Sequence, residues 1–280
     1  MYIKCWGSRG SIPVSGKEYI KYGGDTTCLE IRSREGDIII VDAGTGIRRL
    51  GNSLHEEGTR KYNFLLTHAH WDHLMGFPFF RPLFLEHQEI RMHRGPFHKK
   101  YMESMFSKVM APPNFPVKYS DLKAKIIYEP GNPEAFEIGS ITVIPFPISH
   151  PNTGKGYKFI EDGKSFVFLT DNELGFVHPG GRKFDDYISF CDGADLLIHD
   201  AEYKPDEYDE MIEWGHSTYT DALDLAFAAS VKQFGLFHHN QERTDSEVDA
   251  VVDDCHRIIE EKGMALHCFA VGSDMTFDMV

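Results

Sequence analysis

The sequence has few cysteines, and they do not form a recognisable framework. The five cysteines are Cys5, Cys28, Cys191, Cys255 and Cys268. They are odd in number, widely separated and never arranged as a C-x-x-C pair, so a disulfide scaffold and a thiolate zinc site are both disfavoured. A chain of 280 residues is also long enough to bury a core without such cross-links.

Long apolar runs are also lacking. Met1–Trp6 leads directly into strand-like sequence, without the basic and then apolar regions of a signal peptide. No apolar run approaches the roughly 20 residues needed to cross a membrane. We therefore expect a cytoplasmic protein with no membrane partner.

The chain has fewer basic residues than acidic residues. The chain has 29 lysines and arginines against 43 aspartates and glutamates, for a net charge of −14 with histidine counted as neutral. Proteins that grip long nucleic acids depend on basic surface for their phosphate contacts, so this balance predicts no long nucleic acid as a partner. Solubility is the simplest reason for the acidic surface, and bound divalent cations would cancel part of the charge.

Short strands and helices alternate along most of the chain. Asp37–Val41 is nearly all apolar, which is typical of a strand covered on both faces. Further strands are predicted at Ser165–Leu169 and Gln233–Phe237, and a helix at Ser246–Glu261. The alternation indicates a layered α/β fold. No repeat or Pro/Gly/Ser-rich linker interrupts it, so residues 1–280 are predicted to form a single domain.

Four candidate metal ligands lie within six residues of one another, directly after an apolar strand. His68 and His70 are two residues apart, so in extended backbone their side chains project to the same side. Asp72 and His73 follow where a helix begins. Imidazole nitrogens and carboxylate oxygens are ligands that zinc and similar ions accept. This H-x-H-x-D-H run is far more specific than an isolated histidine, and it predicts a metal site.

The same run resembles the signature of the metallo-β-lactamase superfamily. That resemblance implies a four-layer αββα sandwich and three further ligands, each following a strand-like run. His150 and Asp171 fit the first two positions. His238 and His239 are both candidates for the last position, and His238 is preferred because it continues the preceding strand directly.

The resemblance further implies two divalent metal ions per chain. The implied ligands are His68, His70 and His150 for one ion, Asp72, His73 and His238 for the other, and Asp171 as a bridge. A metal pair lowers the pKa of a shared water and stabilises charge on a phosphoryl or carbonyl oxygen, and Asp72 is also counted among the catalytic residues. Zinc is the preferred metal, with manganese and iron as alternatives.

Three other segments resemble the ribonuclease Z-like and cyclic-nucleotide phosphodiesterase branch of this superfamily. They are Gly7–Pro13, Tyr22–Cys28 and Gly215–Thr218. The resemblance implies that His216 contacts or protonates a phosphoryl group, a role that suits a side chain titrating near neutral pH. Packing against the following helix is the alternative role for His216.

Other polar residues are weaker candidates. Asp42 is expected to support the metal-binding loops without binding metal itself. Arg9 is expected to be solvated or structural, with contact to a substrate as the alternative. Ser217 and Thr218 could equally bind phosphate or cap a helix. The spacing does not mark three further residues as ligands: His178, His199 and Asp200.

The substrate predicted from these features is a small phosphodiester, with a cyclic nucleotide favoured, cleaved by a metal-bound hydroxide. By the same resemblance, ribonuclease Z proteins that process transfer RNA carry a Gly/Pro-rich arm. Pro151–Thr170 leaves room only for a hairpin at that position. Hydrolysis of a lactone, thioester or other ester is the alternative, and a redox or binding role on the same fold is less favoured.

One segment departs from the regular alternation. Residues at about 81–125 contain Pro-rich turns and an aromatic- and Met-rich stretch, Phe97–Met110. We predict a helical and loop insertion that forms a rim or lid over the site, and that would supply the interface of a homodimer. Packing into the core is the competing explanation for its apolar side chains.

Overall fold

Two seven-stranded β-sheets form the centre of the molecule. The structure is a computed structural model that describes residues 1–93, 95, 98–131 and 133–279. The first sheet contains β1 (Tyr2–Gly7), β2 (Cys28–Arg32), β3 (Ile38–Val41), β4 (Lys61–Leu65), β5 (Glu89–Met92) and β6 (Lys125–Tyr128). The second contains β7 (Phe136–Ile138), β8 (Ile141–Pro147), β9 (Lys155–Glu161), β10 (Lys164–Leu169), β11 (Leu196–Asp200), β12 (Gln233–Phe237) and β13 (His267–Ala270). A last strand, β14 (Thr276–Asp278), returns to the first sheet beside β1.

Within the described ranges, five α-helices cover the outer faces of the sheets. They are α1 (Ile47–Glu56), α2 (Lys99–Val109), α3 (Phe184–Cys191), α4 (Tyr219–Ala228) and α5 (Asp245–Glu261). The apolar faces of α1 and α2 share a core with the first sheet, and those of α3, α4 and α5 share one with the second. The predicted four-layer αββα sandwich is confirmed.

Strand β3 shows how the sequence produces these layers. Its side chains Ile39 and Val41 pack between the two sheets, whereas Ile38 and Ile40 pack toward the helices. Successive side chains of a strand point to opposite faces, so a strand between two cores must be apolar at every position. Full burial of each such side chain stabilises the fold by about 1.5–3 kcal/mol.

Strand direction places the loops that carry polar residues at a common edge. The strands from β3 to β6 are parallel, and so are those from β10 to β13. Strand β8 runs antiparallel to β9, which runs antiparallel to β10. The carboxyl ends of β8, β10, β11 and β12 therefore lie at the same edge of the second sheet.

The segment at 81–125 is more regular than the predicted helical and loop insertion. It contains strand β5, which pairs in parallel with β4. Only Ile90 and Met92 of this short strand are buried, and a run of four residues gives too weak an alternation to be recognised by itself. Its pairing with the apolar strand β4 makes it part of the sheet.

Helix α2 packs into the core of the first sheet and its helices. Phe106 stacks on Phe77 with a ring-centroid distance of 3.9 Å, so this face of α2 packs against the body of the fold. Phe97, in the predicted helical stretch, lies outside the described residues. A homodimer interface in this segment stays a prediction.

Other expectations can be compared directly with the structure. The interval between His150 and Asp171 forms the β9–β10 hairpin, as predicted. All five cysteines are free and buried. Among the described residues, no helix combines the length and apolar character needed to span a membrane. The division into one domain stays a prediction.

Candidate metal centre

The seven predicted ligands lie together at one edge of the sandwich, in the loops that follow strands. His68 and His70 follow β4, the 3₁₀ turn Trp71–His73 comes next, and the other loops follow β8, β10 and β12. The seven residues are His68, His70, Asp72, His73, His150, Asp171 and His238. All of them except His70 are buried, so the cluster is largely shielded from water.

The donor atoms of the seven residues form two groups that share Asp171, and a third group of Asp200, His216 and His238 lies beside them. The first two groups are His68, His70, His150 and Asp171, and Asp72, His73, Asp171 and His238, with the donor atoms of each group within 4.8 Å of one another. The carboxylate of Asp171 lies 3.4 Å from His68 Nε2 and 3.2 Å from His73 Nε2. One carboxylate that faces both groups is suited to bridge two cations.

Three polar residues that follow strands have a left-handed backbone conformation. Asp42 follows β3 with φ 63°, Asp171 lies just beyond β10 with φ 52°, and His238 follows β12 with φ 59°. For residues other than glycine, a conformation of this kind costs on the order of 1–3 kcal/mol and is concentrated at functional sites. Backbone strain at Asp171 and His238 therefore occurs at residues whose side chains belong to the cluster.

Each buried histidine of the cluster has a partner at its second ring nitrogen. Thr67 Oγ1 lies 3.1 Å from His68 Nδ1, Asp42 Oδ2 lies 2.8 Å from His73 Nδ1, Gly215 O lies 2.8 Å from His150 Nδ1, and Glu202 Oε2 lies 2.9 Å from His238 Nδ1. Partners of this kind fix the orientation and tautomer of a histidine, so that Nε2 faces the centre.

Two buried nitrogens show that the cluster fits metal ions. His68 Nε2 and His73 Nε2 form no hydrogen bond of good geometry among the described residues, because the nearby Asp171 carboxylate is not aligned with either of them. A buried polar atom without a partner costs about 1–3 kcal/mol, and a cation would provide that partner. Nitrogen and carboxylate donors suit zinc, manganese and iron. The cluster is compatible with a dimetal centre, and the ligand role of each residue stays a prediction.

The pKa values of the cluster are shifted in different directions. Burial opposes charge on His73 and His238, but Asp171 and the neighbouring carboxylates raise the pKa of both imidazoles well above the ordinary value. Burial opposes charge on Asp171, but the neighbouring histidines, led by His238, hold the pKa of its carboxyl well below the ordinary value. Burial lowers the pKa of His68 well below its usual range, and it lowers the pKa of His150 to about 3. Ionised carboxylates and neutral imidazoles are the forms that bind cations, so Asp171, His68 and His150 are already in that form. His73 and His238, by contrast, would each release a proton when a metal binds.

His216 lies beside the cluster and is held by two carboxylates. Its Nδ1 is 2.6 Å from Asp200 Oδ2 and 3.5 Å from Glu202 Oε2. Its ring stacks on His238 with a centroid distance of 4.8 Å. Burial alone would lower the pKa of His216, but Glu202 and Asp200 raise it to about 9. With Nδ1 bound to Asp200, Nε2 is the nitrogen that can face a substrate.

Sequence spacing does not reveal these two carboxylates. It gives Asp200 no role and does not single out Glu202, whereas the structure places both against His216. The signal lies in the order of the strands, because β11 pairs in parallel with both β10 and β12. Asp200 ends β11 and therefore lies at the edge that also carries Asp171 and His238.

The structure also resolves the weaker candidates. Arg9 is buried and donates to the backbone carbonyls of Gly23, Asn240 and Arg243, so it is structural. The Thr218 side chain caps α4 by accepting from the backbone N–H of Asp221 at 3.0 Å.

His239 lies away from the metal ligands. Its Nε2 is 2.8 Å from the carbonyl oxygen of Val271, and its ring packs against Tyr22. Of the two neighbouring histidines, His238 is therefore the one that reaches the cluster. His178 and His199 also lie outside the donor groups, since His178 contacts Glu173 and His199 contacts Asn172.

The fold and the site define an αββα sandwich protein with a candidate dimetal centre at the edge of its sheets. Residues 38–239 match the family described as the beta-lactamase superfamily domain. The chain belongs to this family. Ribonuclease Z of Haloferax volcanii is 23% identical over 250 residues, which cover 74% of this chain and 76% of that protein. The predicted superfamily and its ribonuclease Z-like branch are confirmed.

Solved structures show the same fold at low sequence identity. The metallo-beta-lactamase fold protein YhfI from Bacillus subtilis has a TM-score of 0.71 and 16% identity, over 99% of this chain and 98% of its own. The short form of human tRNase Z has a TM-score of 0.64 and 18% identity, over 100% of both chains.

The prediction that no long nucleic acid is a partner is wrong. It depends on the net charge of −14, whereas the relative from Haloferax volcanii is a ribonuclease and the human structure is a tRNase by name. Net charge sums the whole surface and does not report the potential at one edge. It also counts Asp72 and Asp171, whose charge bound cations would offset.

Proposed function

We propose that the chain is a metal-dependent phosphodiesterase. The observation that carries this proposal is that two metal-donor groups and the ring of His216 lie together at one edge of the sandwich. Two donor groups share Asp171, and the ring of His216, bound to Asp200, stacks directly beside them on His238. Phosphodiester hydrolysis needs a nucleophile, stabilisation of developing negative charge and a proton for the leaving oxygen.

The residues of the two groups would hold two ions, for which zinc is the proposed metal. One ion would be held by His68, His70 and His150, and the other by Asp72, His73 and His238. Asp171 would help to hold both ions. When bound, such a pair supplies a nucleophile near neutral pH and stabilises charge on the phosphoryl oxygens. The donor set is also compatible with manganese or iron.

The side chains beside the two groups have distinct proposed roles. Asp72 Oδ2 accepts from the backbone N–H of Ser11 at 3.0 Å and lies 3.1 Å from His238 Nε2. Asp72 Oδ1 would accept a hydrogen bond from the attacking water. His216 would donate a proton from Nε2 to the departing alkoxide, while Asp200 holds its ring in place.

Two exposed tryptophans support a substrate that contains a nucleobase. Trp71 is 59% exposed and Trp214 is 63% exposed. Trp71 follows His70, and Trp214 precedes Gly215, so the loops that carry them meet at His150, which contacts both His70 and Gly215. Stacking of a base on an aromatic side chain contributes about 1–3 kcal/mol. A cyclic nucleotide is the substrate proposed first.

RNA is the second candidate substrate. The specific observation in its favour is the likeness to ribonuclease Z of Haloferax volcanii over 74% of this chain. The same residues would hydrolyse a phosphodiester bond at an RNA end, with a base of the RNA stacked on Trp71 or Trp214.

The proposal is tested by metal analysis together with hydrolysis of bis(p-nitrophenyl) phosphate, a panel of cyclic nucleotides and a transfer-RNA precursor. We expect about two metal ions per chain and turnover of cyclic nucleotides, abolished in Asp171→Ala and strongly reduced in His216→Ala. Turnover of the RNA alone would replace the first candidate with the second. Two bound metals without turnover of any phosphodiester would refute the proposed function.

A further inference from the structure

Glu173 is a buried carboxylate in the loop that follows β10, two residues after Asp171. The residue is 1% exposed. Its oxygens accept from Tyr208 Oη at 2.7 Å, Glu213 N at 2.9 Å and Gly215 N at 2.7 Å, and they lie 2.7 Å from His178 Nε2. A single carboxylate therefore collects four contacts, three of them from one short stretch of chain.

That stretch, residues 208–216, ends in His216 and has an unusual backbone. Glu213 has φ 74° and Gly215 has φ 94°, and both residues donate their N–H groups to Glu173. A left-handed conformation at a residue other than glycine persists only where its surroundings hold it. Glu173 provides that hold from inside the protein.

Gly215 connects Glu173 to the metal centre. Its N–H donates to Glu173, and its carbonyl oxygen accepts from His150 Nδ1 at 2.8 Å. A second connection lies just beyond this stretch, because Ser217 Oγ accepts from Leu174 N at 3.0 Å. The position of the His150 ring therefore depends on where Glu173 holds the 208–216 stretch.

We propose that Glu173 is a positioning residue of the metal centre. It fixes residues 208–216 so that Gly215 orients His150 toward the metal ions and His216 lies beside them. The consequence for catalysis rests on the proposed function, whereas the consequence for metal binding does not. Glu173 itself is outside all three donor groups.

Glu173→Gln is the appropriate variant, because it keeps the size of the side chain but replaces one acceptor oxygen with a donor group. That amide must face either the Tyr208 and Glu213 donors or the Gly215 N–H and His178. Asp195→Asn is a matched control. Asp195 is also a nearly buried carboxylate that accepts a backbone N–H, from Ser165 at 2.9 Å, but it precedes β11 at the edge opposite to the metal centre.

The readouts are zinc affinity, by competition with a chromogenic chelator, and hydrogen–deuterium exchange of residues 208–216. We expect Glu173→Gln to weaken zinc binding by about tenfold or more and to speed amide exchange in this stretch. Asp195→Asn should change neither, even if it lowers the melting temperature. Tyr208→Phe removes one donor with little risk to folding, and should shift both readouts in the same direction by a smaller factor.

The outcomes separate this inference from the proposed function. Wild-type zinc affinity and exchange in both Glu173→Gln and Tyr208→Phe would overturn the positioning role. Equal losses in the Asp195→Asn control would also overturn it, since they would show a general effect of stability. A wild-type protein that binds zinc but hydrolyses no phosphodiester would refute the function and leave the positioning role intact.

Discussion

The carbonyl oxygen of Gly215 accepts a hydrogen bond from Nδ1 of His150 at 2.8 Å. A Cβ at position 215 would overlap that nitrogen, and the backbone there has φ 94°. We predict that Gly215→Ala displaces the His150 ring and lowers zinc affinity by about tenfold or more, as loss of a supporting contact does at other metal sites. Competition titration with a chromogenic chelator measures this change.

Gly163→Ala is the matched control for that substitution. Gly163 has φ 77° in the β9–β10 turn, and a Cβ there would meet nothing within 4 Å. Its replacement by alanine should therefore cost stability through backbone strain alone, with zinc affinity unchanged. Equal losses of zinc affinity in the two variants would mean that strain, and not contact with His150, is responsible.

Removal of metal should lower the stability of the protein. The buried nitrogens His68 Nε2 and His73 Nε2 form no hydrogen bond of good geometry among the described residues, and a bound ion would remove that cost. A ligand at 100 times its dissociation constant stabilises the folded state by about 2.7 kcal/mol. Calorimetry should show a lower melting temperature after chelation and its recovery with zinc. An unchanged melting temperature would argue against a metal site in this cluster.

The sequence was sufficient to predict the parts of the site that depend on local order. His68, His70, Asp72 and His73 lie in one short run, and their convergence follows from a strand end and a turn. The fold class followed from the alternation of strands and helices together with the resemblance that this motif carries. The choice of His238 over His239 followed from the direction of β12.

The parts that could not be predicted depend on which strands are neighbours in space. Asp200 acquires its place beside His216 only because β11 lies between β10 and β12. Glu173 and Gly215 are 42 residues apart in sequence, so no local pattern relates them. The predicted partner class failed for a similar reason, because net charge does not describe the potential at the site.

The exposed tryptophans should govern affinity for a nucleotide substrate. We expect Trp71→Ala and Trp214→Ala each to raise KM for a cyclic nucleotide by about tenfold, because each loses about 1–3 kcal/mol of base stacking. Met264→Ala is the control, since Met264 is also exposed, at 44%, but lies in the turn before β13. Steady-state kinetics measure the effect, and an unchanged KM in both tryptophan variants would remove the support for a nucleobase in the substrate.

Asp200 should be needed for turnover and not for metal binding. Its Oδ2 lies 2.6 Å from His216 Nδ1, and it accepts from the backbone N–H of Glu202 at 3.0 Å. In Asp200→Asn the His216 ring loses one of the two carboxylate charges beside Nδ1, with that of Glu202 retained, and the 2.6 Å contact that orients it. We therefore expect kcat to fall by about 10²–10⁴-fold, the usual contribution of a general acid. Zinc content should stay at the wild-type value, because Asp200 is outside the two groups that share Asp171, although it forms a third donor group with His216 and His238. Asp195→Asn, which removes a comparable carboxylate at the opposite edge of the sheet, should keep wild-type kcat. Loss of zinc together with kcat in Asp200→Asn would assign Asp200 to the metal centre, and an unchanged kcat would remove His216 from the proposed proton transfer.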